Sequence, residues 1–510
     1  MATWSSGYNI ELGYTYNAFR ELAPEWLNFV AVQKGVAPPG REWRYLELGC
    51  GQGIGLLLLA ALNPANEFLG IDFNPQHIAH ARALAADAQL NNVRFEEADF
   101  CALAKNWPVT NGQFDYVVAH GVYAWLHGAV RDAFTQVLAH ATRPGALVFV
   151  SYNAMPGCSS IAALQHLLRL WQTSEALPGV QAMERGLERM QALNDAQARM
   201  LTALPDINTR LNKLGTGELP YLVQEYLHDN WHPQWFDAVV KDLATAKLNF
   251  VGSADICDHY LSAFMPTPQR ELLKTFSDPV VKEVMQDVII HRNFRRDVFS
   301  RGAPPLSRAR QQRLLLETRL VLSNPQPVGE LKFAITGFAF EGRRDIYVPL
   351  YEAFANKGPQ TIAELRQLPD VGVRTFTETL SNLTMMMHAS HIAIHSPALD
   401  SAPAKRLNAV LATAALDGAS YQFLALPALG QFVKATDTNM ILLALTVQKP
   451  EQTATELAKG LTEALQSNQK SLLVEGKPIH DNETFSRQAE ILAQQFCETT
   501  LPRWKQFGVL

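Results

Sequence analysis

The stretch "RYLELGCGQGIGLLLLAAL" (44–62) limits what this chain can fold into more than any other. "RYLELG" reads as a short buried strand and "IGLLLLAALNPA" (54–65) as a helix stopped at Pro64. Gly49, Gly51 and Gly53 occupy the turn between them. Glycine opens conformations closed to other residues and leaves the backbone bare, so a ligand can lie directly against such a turn. A dinucleotide fingerprint spaces its glycines as G-x-G-x-x-G. Counted from Gly49 and Gly51, its third glycine would stand at position 54, which is Ile54. The third glycine is Gly53, and with Glu47 the pattern becomes E-x-G-x-G-x-G. That spacing suits a smaller ligand across the turn better than a pyrophosphate.

The strand–helix unit then repeats. "EFLGIDFNP" (67–75) is a second strand ending in Asp72, at the distance beyond the glycines expected of a ribose-binding acid. Asn74 caps the next helix and Pro75 opens it. "VRFEEADF" (93–100), "FDYVVAHGVYAWL" (114–126) and "PGALVFVSYNAMPG" (144–157) supply strands three to five. Such alternation predicts an α/β fold, a doubly wound parallel sheet that binds ligands at the carboxyl ends of its strands. Glu47, Asp72, Asp99 and His120 fall at or near those ends. The last two strands are expected in "LNFVGSADI" (248–256) and "NFRRDVFSRG" (293–302), with helical insertions before and between them.

In these segments the chain resembles the class I S-adenosylmethionine-dependent methyltransferases. "ELGCGQG" is similar to their first motif, Asp72 to the acid on the ribose hydroxyls, and "ADF" to the adenine-contacting motif. "EYLHDNWHPQWF" (225–236), "FVGSAD" (250–255) and "FRRDVFSRG" (294–302) resemble the methyltransferase regulatory domain. Among proteins with that domain, the chain is similar to the rickettsial protein lysine methyltransferases, which also carry a Tyr-rich N-terminal segment. The resemblance implies a Rossmann-like fold, S-adenosylmethionine as cofactor, S-adenosylhomocysteine as product, and no metal. Its cofactor-binding residues would be Glu47, Gly49, Cys50, Gly51, Gly53, Asp72, Phe73, Asp99, Phe100, His120 and Gly121.

Methyl transfer from a sulfonium needs no acid for its leaving group, so the protein mainly aligns the reactants and excludes water. A lysine acceptor must lose a proton, which burial favours, and aromatic faces tolerate a cationic amine. Tyr123 and Trp125 after strand four, with Tyr152 and Asn153 after strand five, stand where the acceptor is expected. Tyr14 and Tyr16 are candidates for a lid. "AHGVY" replaces the Asn/Asp-Pro-Pro-aromatic turn of enzymes acting on nucleobase amines or glutamine amides, which argues against those acceptors. His228 and His232 lack further ligands at metal-binding spacing.

At 510 residues the chain calls for two to four domains. A formal charge of −5 argues against a nucleic-acid partner. The N-terminus does not read as a secretory signal, no apolar run reaches membrane-spanning length, and five scattered cysteines fit a reducing compartment. A cytoplasmic protein is therefore expected, and the resemblance implies a bacterial enzyme. The expected division is an N-terminal cap over 1–40, the cofactor-binding core over 41–158, a helical insertion over 159–247, a regulatory region over 248–302, a linker over 303–318 and a mainly helical C-terminal domain over 319–510. The last has the element order of a winged helix, but its helix over 373–390 offers one Arg and no Lys for phosphates, so it reads as a packing or docking module. The apolar stripe of Ile161, Leu164, Leu168 and Trp171 must be buried against the helices that follow or against a second subunit, and the resemblance implies the second, a homodimer. Alternatives to a protein acceptor are a small-molecule acceptor and a non-catalytic regulator that binds the cofactor.

Overall fold

The computed structural model describes residues 16–204, 207, 219–323, 331–474, 477–479 and 481–510. Seven strands form the central sheet: β1 (Arg44–Leu48), β2 (Glu67–Asp72), β3 (Val93–Glu97), β4 (Phe114–Ala119), β5 (Thr142–Asn153), β6 (Asn249–Ser253) and β7 (Phe294–Ser300). Their order is β3-β2-β1-β4-β5-β7-β6. The first five strands run parallel as expected, but β7 lies antiparallel to both β5 and β6, so the sheet is mixed. Two helices, Thr267–Lys274 and Pro279–Ile290, lie between β6 and β7, and the chain returns to slot β7 between its neighbours. Buried ion pairs fix it there. The Arg295 guanidinium on β7 meets Asp297 at 2.9 Å, Asp287 at 2.6 Å and Glu283 at 3.0 Å, the last two from helix Pro279–Ile290.

Strand alternation divides the side chains between two cores. Tyr45, Tyr116, Leu147 and Phe149 face one way and pack with helices α1 (Pro24–Gln33), α2 (Ile54–Leu62) and α3 (Pro75–Asp87). After α4 (Phe100–Lys105) comes α5 (Gly128–Ala141), which covers the opposite face. There Leu46, Leu48, Val117, Val148 and Val150 pack with α5 and with helix Phe236–Ala244. That last helix was expected within the insertion, yet Val239 and Leu243 place it in the sheet's own layer.

The insertion has its own core. Helix α6 (Ser159–Glu175) buries Ile161, Leu164 and Leu168 against α7 (Gly179–Asp195) and helix Leu219–Tyr226. At Gly186 of α7 a Cβ would lie 2.4 Å from Leu168 Cδ2, so glycine lets the two helices close. The stripe expected to face a second subunit is thus largely consumed inside the chain.

Where a linker was expected, Arg308–Glu317 is a helix capped by Ser307. Gln311 Nε2 donates to the carbonyls of Val32 and Gln33 at the end of α1. Beyond it, helices Arg344–Lys357 and Phe376–His388 and strand Ile392–Ile394 follow in the expected order. Their sheet takes its central strand, Arg319–Leu322, from ahead of these helices rather than from a wing behind them. Helix Ala402–Leu416 then packs along α2 and α3. No helix among the described residues is long and apolar enough to cross a membrane.

Leu164 is fully buried, so Leu164→Glu would place a charge in a dry core and is expected to cost at least about 3 kcal/mol. Thermal unfolding checks this: a variant that melts with the wild type would show that α6 is not a core helix.

Candidate active site

The turn after β1 is held from beneath by backbone. The N–H groups of Gly49 and Cys50 donate to Ile71 O at 2.7 and 3.1 Å. Asp72 ends β2 and clamps the turn: its Oδ2 accepts from Gly51 N at 2.9 Å and its Oδ1 from Asn74 N at 2.9 Å. All three glycines have left-handed φ, at +72°, +53° and +78°. Their surroundings differ. A Cβ on Gly49 would lie 2.5 Å from Val122 Cγ2, and one on Gly53 2.8 Å from Ala81 Cβ and Phe95 Cε1. A Cβ on Gly51 would meet nothing within 4 Å. Gly49 and Gly53 therefore serve packing, and Gly51 keeps the backbone bare toward open space. Gly121 after β4, at φ +66°, is open in the same way.

Beside this cradle Glu47 is buried, and burial, with the Asp72 charge adding to it, pushes its carboxyl up to about 8. Cys50 is half-buried and its thiol is raised for the same reasons. Phe73 is half-buried between Asp72 and the Asn74 cap. At the end of β3, Asp99 is exposed and its Oδ1 caps α4 by accepting from Ala102 N at 2.9 Å. Phe100 turns its ring edge-on to Phe134, 5.2 Å away, in the core beneath α5. A bare turn at Gly51, with open Gly121 nearby, the Asp72 carboxylate and the neutral Glu47 carboxyl at its edge, fits S-adenosylmethionine, which has a ribose and an amino-acid end.

His120 follows β4. Ser151 Oγ accepts from Gly121 N at 2.8 Å and lies 2.9 Å from His120 Nδ1. Burial, with the Arg296 cation beside it, pulls the imidazole down to about 3, so it is neutral near pH 7. The Phe19 ring covers it at 3.9 Å, and Phe149 and Phe294 flank it at 6.1 and 6.0 Å. Phe19 belongs to a strap that passes over the start of α2, where Asn17 and Ala18 lie against Gly55. Arg20 of the strap then donates to Met387 O and His388 O, each at 2.7 Å. Tyr16 stands at the strap's outer end and stacks on His80 at 5.4 Å. Tyr14 lies outside the described residues.

Three expected acceptor-site residues, Tyr123, Tyr152 and Trp125, are core residues instead. Tyr123 and Tyr152 are fully buried; the Tyr123 hydroxyl donates to Asp242 at 2.8 Å and that of Tyr152 to Asp297 at 2.6 Å. Both rings sit in the layer under α5, where alternation along β5 sends Tyr152 with Val148 and Val150. Trp125 packs edge-on to His228, 4.6 Å away, and near Trp231 at 6.3 Å, in the insertion's core. Asn153 remains at the sheet's carboxyl edge, where its Oδ1 accepts from Trp231 Nε1 at 3.0 Å. The strand-like run 231–234 is stitched in by His232 N to Ala124 O and Gln234 N to Asn153 O. Phe19 and Ser151 are thus site neighbours that no motif announced, although Ser151 and Phe149 share one face of β5 by simple alternation, while Phe294 and Trp231 fall within the regulatory-domain segments without being marked there as site residues. Among the described residues no group of three or more His, Cys, Asp or Glu could hold a metal.

Comparison with known proteins agrees with this geometry. Residues 40–214 match the model of a methyltransferase domain, and residues 219–301 match a predicted methyltransferase regulatory domain. An uncharacterised protein of Synechocystis is 29% identical over 99% of this chain and 100% of its own length. An uncharacterised protein of Rickettsia prowazekii is 27% identical over 42% of this chain and 86% of its own. Among solved structures, PKMT2 from Rickettsia typhi in complex with AdoHcy superposes with a TM-score of 0.68 at 19% identity, covering 95% of this chain and 98% of that one. That likeness is one of fold.

Two predictions follow from the cradle. Gly51→Ala is expected to weaken S-adenosylhomocysteine binding roughly 10-fold or more while the fold loses only about 1 kcal/mol to backbone strain. Gly53→Ala, which clashes with α3 and β3, should lose more stability than Gly51→Ala. Calorimetry and thermal melts on both variants check the contrast, and equal behaviour of the two would refute it. For Glu47, the folded value of about 8 lies above the ordinary 4.5, so the folded state favours the neutral form and loses stability as pH rises from 5 to 8. Glu47→Gln lacks that loss. Its melting temperature relative to wild type should climb across this window and then level; parallel curves would contradict the burial effect.

Proposed function

Since the chain is an S-adenosylmethionine-dependent methyltransferase with a class I fold and a regulatory domain, we propose that its acceptor is a lysine amine of a protein. The observation that carries this reading is the extent of the likeness to PKMT2, which runs through the cofactor core, the insertion and the C-terminal region alike. A small-molecule methyltransferase needs no comparable additions to its sheet.

Bound in the cradle, S-adenosylmethionine supplies a methyl group on a positively charged sulfur, open to attack by an amine lone pair. The Gly49–Gly53 turn would hold it by backbone approach, and Asp72 would accept from its ribose while keeping the turn in shape. Glu47 and Gly121 would bound its amino-acid end. Phe19 and Phe294, around a neutral His120, would keep water from the reacting atoms, and their faces would accept an alkylammonium before it loses its proton. His120 is too weak a base to take that proton near pH 7. A dry wall lowers the amine's own affinity for it, so the proton would pass to solvent at the mouth of the site as the amine enters, before the aromatic wall shuts water out. Asn153, Asp99, Phe100, Cys50 and Phe73 would contribute as rim and cofactor contacts. Pairing of two chains through the outer side of α6, where Leu170 is exposed, belongs to the same proposal.

Labelled methyl transfer into a size-fractionated bacterial lysate tests the acceptor. The expected result is label on protein lysines, lost in Asp72→Asn. At saturating cofactor the rate should rise steadily with pH from 6 to 9, with no separate limb near 6.5. Label confined to small metabolites would overturn the protein acceptor.

A further inference from the structure

The outer side of the cofactor turn is held by a contact that reaches across most of the chain. Gln52 lies between Gly51 and Gly53, and its carbonyl oxygen is 3.1 Å from Nδ1 of His80 on α3. Nε2 of the same ring is 2.7 Å from the hydroxyl of Tyr421, 341 residues further on. A carbonyl only accepts, so Nδ1 carries the proton in the bond to Gln52. Burial lowers the imidazole from its ordinary value, so the ring is neutral near pH 7 and Nε2 presents a lone pair. The Tyr421 O–H donates to that lone pair. The Gln52 carbonyl thus sets the tautomer, and the Tyr421 hydroxyl, free to donate or accept, stabilises that tautomer by donating to Nε2.

The surroundings make this a built junction rather than a grazing contact. Tyr421 is buried just ahead of strand Phe423–Leu426. Tyr16 from the strap stacks on His80 and turns edge-on to Tyr421 at 4.7 Å, so three distant segments close over the ring. Helix Ala402–Leu416 lies along α2 and α3, and Arg406 on it donates to Ala88 O at 3.1 Å at the end of α3. The C-terminal region is therefore docked on the same helix that carries His80. Asp72 fixes the Gly51 amide on the turn's inner side, and His80 fixes the next carbonyl on its outer side.

We propose that His80 is a positioning residue for the cofactor turn and that the Tyr421 hydroxyl holds the ring in place and reinforces its bond to Gln52 O, so that the seating of the C-terminal region tunes cofactor affinity. The effect is independent of which acceptor the enzyme uses, because it acts on the turn alone.

The test uses the full chain and calorimetric binding of S-adenosylhomocysteine. Tyr421→Phe keeps the ring and removes the O–H, and with it the hydroxyl's bonds to His80 and to Tyr16; it is expected to weaken binding about 3- to 10-fold, the size of the lost bond to His80. His80→Ala removes both bonds and should weaken it about 10-fold or more. In His80→Asn the side-chain amide nitrogen stands near the place of Nδ1 and can still donate to Gln52 O. It should recover to within about 3-fold of wild type while no longer responding to Tyr421→Phe in the double variant. Amide exchange over 49–54 without ligand should quicken in Tyr421→Phe while the melting temperature holds. Wild-type affinity in Tyr421→Phe, or a His80→Asn variant no better than His80→Ala, would overturn the proposal, the latter by reducing His80 to a packing residue. Because Tyr421→Phe keeps the ring and its volume, its result stands even if a His80 variant fails to fold. Failure of the wild-type chain to bind S-adenosylhomocysteine would count instead against its cofactor chemistry.

Discussion

The carboxylate of Asp72 is the joint on which the site depends. Its two oxygens take one N–H from the turn after β1 and one from the turn after β2, so two adjacent strand ends share a single anion. Hydrogen bonds to a charged acceptor are worth about twice the neutral kind. Here they also set geometry, because a turn with three residues at positive φ has little else to define it. Ile71 O beneath and His80 beside complete the grip. With the turn fixed, Gly51 faces open space by construction, and α2 starts against the strap rather than against solvent.

Most of the sheet was readable because strands and helices each leave a period. The turn with glycines 49, 51 and 53, the strand end at Asp72 and the Asn74–Pro75 helix start are legible locally, but of the three glycines only Gly51 is open, which the spacing does not announce. The antiparallel β7 was not readable, since nothing in "FRRDVFSRG" encodes the direction of its partner. What fixes it is ion pairing with carboxylates on a helix that precedes it. Among the proposed acceptor residues, position after a strand was a poor guide and parity a better one. Tyr152 has the parity of Val148 and Val150 and joins their core; Ser151 has that of Phe149 and meets His120. Phe19, Trp231 and Tyr421 reach the site's surroundings through tertiary contacts alone, for which a single sequence holds no periodic trace.

The same limit explains the stripe on α6. An amphipathic helix announces that it will be covered but not by what. Leu164 and Leu168 found α7, helped by the missing side chain at Gly186, and a dozen or so apolar residues beyond the sheet close into a third core. The Arg308–Glu317 helix is the converse case. Proline and arginine made its surroundings look extended, yet a serine cap and two hydrogen bonds from Gln311 bind it to α1.

The strap over His120 has a consequence for how the protein comes into being. Arg20 is anchored on the carbonyls of residues 387 and 388, up to 368 positions downstream. A ribosome adding about 5–20 residues per second delivers the anchor tens of seconds after the strap. The seven strands emerge in that interval, so a nascent chain can assemble its cofactor cradle before it can fasten the cover. A polypeptide released before residue 388 therefore carries the strap over His120 without the carbonyls that anchor it.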